Sequence, residues 1–192
     1  FAYGAHNYEL FAFRSWLFAF LLFVGDYHSI GLSPTQISIL VSVLTMVGMA
    51  ASVIGADFCM RHGRARMIRL FSALSVCASA AFGLSAYIDF WLLALGAGLF
   101  NIAIMMDSAS LTAGTVESAS SDDRGALLAV HSMIGFGGGA LGGPVVGWLL
   151  DQNGGEQSIA AWVIAMGMMG IGSLIVSILM HSLVRSGHSP IK

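Results

Sequence analysis

The chain has 192 residues, of which 57% are hydrophobic and 9% charged, with a mean hydropathy of +0.83 and a formal net charge of −2. A soluble domain carries about 25% charged residues, so this surface is too poor in charge to stay dispersed in water. A water-soluble enzyme is excluded, an integral membrane protein remains, and no basic patch with interleaved aromatics points to nucleic acid.

A membrane-spanning helix needs about 20 mostly apolar residues. Six stretches qualify, at 6–24, 35–56, 67–87, 90–114, 124–150 and 158–183. The strands of a transmembrane β-barrel would be about 10 residues long with period-two alternation. These runs are longer and apolar on every side. The expected fold class is therefore an all-α membrane protein, with six transmembrane helices in a single domain over 1–192.

The first span opens on a polar group, His6, Asn7, Tyr8 and Glu9, and carries Arg14 further in. The chain starts Phe1, Ala2, Tyr3, Gly4, without an initiator Met or the basic region of a signal peptide. Further residues upstream are expected. Ahead of the second span, Ser33 is placed as an N-cap, Pro34 at the first helical position and Gln36 closes a capping box. The second span leads into a hydrophilic stretch, 57–69, that holds Arg61, Arg64, Arg66 and Arg69, four of the eight Lys+Arg residues. Cys59 and Cys77 form neither a disulfide framework nor a metal-ligand spacing. Both read as free thiols, and neither a metal nor a cofactor is expected.

The fourth span carries Asn101, Asp107, Ser108, Ser110 and Thr112. Asn101, Met105, Ser108 and Thr112 fall on one helical face, with Asp107 on an adjoining one. Glu117 is expected at the membrane edge, solvated. Ser121, Asp122 and Asp123 precede the fifth span and are placed to cap it. That span holds His131 and a run of glycines, Gly135, Gly138, Gly139, Gly142, Gly143 and Gly147, with Pro144 among them. The small residues offer a smooth face for close helix contact, and Pro144 removes one backbone donor and permits a bend. In the sixth span Met166, Met168 and Met169 read as lipid-facing or packing filler. The polar tail at 185–192 reads as a natural C-terminus.

Cationic residues are retained on the cytoplasmic side of short loops. With 57–69 inside, the opposite connections hold Asp26, Asp89, Asp151 and Glu156 and no Lys or Arg, while Arg124, Arg185 and Lys192 fall inside. The expected arrangement is a multi-pass protein of the cell (inner or plasma) membrane with both ends of this segment cytoplasmic.

Arg61, His62, Gly63 and Arg64 resemble the Arg-x-Gly-Arg core of the motif that the major facilitator superfamily carries between the second and third helices of each six-helix half. Arg66 matches a further basic position. Ala56 stands in place of the motif's first Gly and Met60 in place of its acid, with Asp57 one turn earlier as a substitute. Gly139, Gly143, Pro144 and Gly147 resemble the family's fifth-helix motif of exchangers, and similar patterns occur in its eleventh helix. His6, Asn7, Tyr8, Glu9, Leu10, Phe11, Arg14, Ser15 and Trp16 look like a seventh helix of bacterial members. The resemblance favours the second half, helices seven to twelve, over the first. It implies a secondary transporter of a small solute working by alternating access, with proton coupling as an option. The implied partners are a small-molecule substrate, membrane lipid and the other six-helix half.

Ionisable groups inside a span cost about 2.5–3.5 kcal/mol at its centre on insertion scales, so each is a candidate. Glu9, Arg14, Asn101, Asp107 and His131 are the substrate- or proton-binding candidates. An Arg14–Asp107 pair is expected, with Arg14, Asp107 and His131 all in the cytoplasmic third. Alternatively, Arg14 and Glu9 snorkel to the headgroups, and His131 is a satisfied packing residue. Asp57, Arg61, Gly63 and Arg64 are the gate candidates, with Asp57 pairing Arg61 at i,i+4 or facing the start of the fifth helix. The same loop can be a topology signal alone. Gly139, Gly143, Pro144 and Gly147 are the packing-hinge candidates. A channel or non-transporting receptor is the alternative, though no filter loop or charged array is present. An intramembrane hydrolase is least favoured, since no G-x-S-x-G elbow occurs and His131 beside Ser132 does not replace one. No nucleotide-binding loop is present.

Overall fold

A computed structural model describes residues 1–185. Its helices are α1 (Ala2–Tyr27), α2 (Pro34–His62), α3 (Arg64–Ser85), α4 (Phe90–Ser118), α5 (Arg124–Gln152), α6 (Ile159–Met168) and α7 (Ile171–Arg185). No strand occurs among the described residues. Six helical stretches are long and apolar enough to cross a membrane, the sixth being α6 and α7 taken together.

The sixth span therefore differs from the single rod expected over 158–183. Around Gly170 the backbone tightens into i→i−3 bonds, Met169 N to Met166 O at 3.3 Å and Gly170 N to Gly167 O at 3.3 Å. Ser79 Oγ on α3 donates to Gly167 O at 3.3 Å. A neighbouring hydroxyl thus engages the carbonyl where the α-helical ladder lapses, and Gly170 lets α3 approach closely. Met166 and Met169 are packing residues, fully buried, whereas Met168 is 38% exposed.

The capping box at Ser33 forms as expected, with Gln36 N donating to Ser33 Oγ at 3.3 Å and Ser33 N to Gln36 Oε1 at 2.9 Å. The cap expected ahead of α5 does not form. Asp123 is turned back instead, accepting from Ser120 Oγ at 2.8 Å. Asp89 caps α4, accepting from Trp91 N at 2.8 Å and Leu92 N at 3.0 Å.

Successive spans alternate direction, so one end of the bundle gathers the Arg-bearing connection at Gly63, the α4–α5 connection, the start of α1 and the end of α7. We call this the basic end. The other, acidic end holds Asp26, Asp89 and Asp151. An aromatic core fills the half toward the acidic end: Phe13, Phe20, Phe82, Phe90, Phe100 and Trp162 are buried. Phe20 and Trp162 stack at 5.3 Å, and Phe13 meets Phe100 edge-on at 5.2 Å. A smaller cluster around Cys59, Ile68, Phe71, Leu111 and Val176 sits toward the basic end.

Glycines decide which helices touch. Gly138 and Gly142 of α5 lie against the α1 backbone at Gly4 and at Tyr8 and Ala12, leaving no room for a Cβ. Gly55 of α2 does the same against Met106 of α4. Such contacts bring helix backbones together where lipid supplies no hydrophobic drive between them. Trp16 adds a bond, its Nε1 donating to Gly143 O at 2.9 Å. Helix α5 continues unbroken through Pro144.

Candidate functional site

Between the aromatic core and the basic end, the bundle encloses polar groups that lipid could not solvate. Glu9 on α1 is fully buried and faces α3 and α7. Ser75 Oγ donates to its Oε1 at 2.9 Å, and Ser173 Oγ donates to its Oε2. The snorkelling expected for Glu9 is therefore overturned: 3.6 residues per turn carry its side chain toward the bundle axis rather than the headgroups.

Asp107 on α4 is 2% exposed, and so is His6 on α1. His6 Nδ1 lies 2.8 Å from Asp107 Oδ1. Ser72 Oγ, whose shorter bond runs to Ile68 O at 2.7 Å, also lies 3.2 Å from Asp107 Oδ2. His6 Nε2 is buried without a hydrogen-bond partner. Ser72 and Ser75, three residues apart on α3, thus place one helical turn against both carboxylates. A buried charge is stable only with partners of this kind.

The expected Arg14–Asp107 pair does not form. His6 takes that place, and Arg14 is exposed on another side of α1. Arg14 lies about 18 Å along α1, a helix of about 39 Å at 1.5 Å per residue. It sits near mid-span, not in the third next to the basic loop.

Asn101 is fully buried and donates through Nδ2 to Leu44 O at 2.8 Å, tying α4 to α2 beside Gly48. His131 is half-buried, stacked on Tyr3 at 3.9 Å, and bonded to Thr115 Oγ1 at 3.0 Å and Thr112 Oγ1 at 3.4 Å. It borders a cavity of about 220 Å³ at the basic end, which Tyr3, Arg64, Ser110, Thr115 and Met180 also line. Ser110 is one turn from Asp107, so this cavity approaches the buried carboxylates.

In the Arg-bearing connection, Asp57 accepts from Arg61 Nε at 2.9 Å, both residues exposed. Gly63 joins α2 to α3 with φ +90°, a conformation that a Cβ disfavours. Arg64 is buried and forms a two-pronged ion pair with Glu117, Nη1 to Oε2 at 2.7 Å and Nη2 to Oε1 at 2.8 Å. Glu117 is exposed near the end of α4, as expected, and in addition bolts that end to the start of α3. Cys59 and Cys77 are free.

The sequence reading missed His6, Ser72, Ser75 and Ser173 as members of the cluster. The spacing of Ser72, Ser75 and Ser79 marks one face of the third span and was a usable signal. Ser173, alone in an apolar run, gave none. No group of three or more possible metal ligands occurs among the described residues.

Six apolar helices enclosing hydrogen-bonded acids define a multi-pass α-helical membrane protein. The sequence profile of the Major Facilitator Superfamily matches residues 9–191, and the chain belongs to that superfamily, whose members are membrane transporters of small molecules rather than enzymes. Comparison with curated proteins returns no match.

Proposed function

We propose that this chain is one six-helix half, the second, of a proton-coupled secondary transporter in the cell membrane, with the basic end cytoplasmic. The observation that carries the coupling is the enclosure of Glu9 and Asp107, held by Ser75, Ser173, Ser72 and His6 inside the bundle. A proton taken up there changes the charge that α1, α3, α4 and α7 share, and so biases their packing. The absence of Lys and Arg from the connections at the acidic end, against their presence in those at the basic end, supports the orientation.

The other six-helix half completes the transport path, and the two rock about a midplane site. Arg64 with Glu117, beside Asp57, Arg61 and Gly63, acts as the cytoplasmic gate. Gly139, Gly143, Pro144 and Gly147 form the packing hinge against α1, where Phe11, Ser15 and Trp16 lie next to the glycines.

The test is Asp107→Asn in the full transporter, reconstituted in liposomes with an imposed pH gradient. The variant is expected to insert and fold but to lose gradient-driven solute uptake and solute-dependent proton flux. Full proton-coupled activity in that variant removes Asp107 from the mechanism.

A further inference from the structure

We infer that the solute carried is an anion, bound through the guanidinium of Arg14 on a side of α1 turned away from Glu9; the inference rests on the transporter reading above. Arg14 is exposed near mid-span, and among the described residues it makes no hydrogen bond or ion pair. Five residues separate it from Glu9, which at 100° per residue turns it about 140° around the helix.

The contacts of α1 show where that turn leads. Glu9 and Phe13 face inward, toward Ser75, Ser173 and Phe82. His6 and Phe13 meet α4 at Asp107 and Phe100. Phe11 and Ser15 meet α5 at Gly139 and Gly143. Arg14 falls between the α4 and α5 strips, on the side of α1 away from α3 and α7. Ser108 and Thr112 of α4, one turn apart and partly exposed, lie on the side from which Thr112 reaches His131 of α5.

A guanidinium at this depth cannot face hydrocarbon without a cost of several kcal/mol. About 18 Å from the helix end, it is also beyond the reach of a snorkelling side chain. It therefore faces a water-filled path. There it presents five donors in a planar fork that matches a carboxylate or a phosphate two-to-two. Its Coulomb field attracts such anions and repels cations. A carboxylate or phosphate bearing a small organic body is the chemistry this site selects.

The test uses the purified full-length transporter and sodium succinate, benzoate, citrate and glycerol 3-phosphate as probes. Glucose and tetraphenylphosphonium serve as neutral and cationic controls at matched ionic strength. At least one of the four anions is expected to stabilise the wild type against heat and to bind saturably, while neither control does. Its dissociation constant is expected to rise at least about tenfold in Arg14→Gln, with partial retention in Arg14→Lys, which keeps the charge but loses the fork. Binding of none of the four anions, or unchanged anion binding in Arg14→Gln, overturns the inference. So does gradient-driven uptake of a neutral or cationic solute that persists in Arg14→Gln, although that result leaves the transporter reading standing. The transporter reading fails separately, if the wild type binds an anion through Arg14 but carries no solute across the bilayer.

Discussion

His6 Nδ1 and Asp107 Oδ1 lie 2.8 Å apart, joining the start of α1 to the middle of α4 where both side chains are closed off from solvent. Removing one member of a buried charged pair leaves the other uncompensated, which costs about 3–5 kcal/mol. His6→Leu is therefore expected to lower stability more than a neutral isostere such as His6→Gln. Thermal unfolding in detergent checks the order, and equal effects would show that the pair contributes little.

The hydroxyls around Glu9 give a second expectation. Ser75→Ala and Ser173→Ala each remove one donor from a fully buried carboxyl. Each is expected to cost about 1–3 kcal/mol. The two changes touch one carboxyl, so their effects should be non-additive in a double-mutant cycle. Simple additivity in that cycle would argue against a shared acceptor.

Close helix contact is testable at single glycines. Gly138→Val and Gly55→Val place side chains into the backbone of Gly4 and Met106, and overpacking costs about 1–3 kcal/mol. Gly137→Val, next in sequence but facing open space, is the control and should unfold like the wild type. The three melting curves decide whether approach distance, rather than glycine content, governs stability.

The Arg64–Glu117 pair spans the α3–α4 contact at the basic end. Glu117→Gln and Arg64→Gln are each expected to raise the rate at which cysteines placed in the basic-end cavity react with a water-soluble maleimide. The charge-swapped double variant Arg64→Glu/Glu117→Arg is expected to restore part of the protection. Labelling rates that ignore all three substitutions would remove the pair from any gate.

Orientation is checked at Arg66, which is exposed near the start of α3. A cysteine there, in a background without Cys59 and Cys77, is expected to react with an impermeant reagent in inside-out vesicles and not in intact cells. The reverse pattern would invert every connection of the chain.

The family and the number of spans were legible in the sequence, because a membrane demands long apolar runs and the Arg-bearing connection carries a recognisable pattern. The Ser33 capping box and the Asp57–Arg61 pair were legible too, each being local, within four residues. The surroundings of Arg14 were not, because they depend on how α1 is turned in the bundle, which gives Asp107 to His6 and leaves Arg14 on another side.

Sequence alone determined that this chain has six spans with the cations of its connections gathered at one end, since charge and apolar length act without regard to neighbours. Only the tertiary structure decided that Asp107 meets His6 rather than Arg14, that Glu9 turns inward and that Arg64 holds Glu117. Helices that are apolar nearly all round carry little signal for their own rotation. That rotation is fixed by backbone contacts at Gly4, Gly55, Gly138 and Gly142, between residues far apart in the chain.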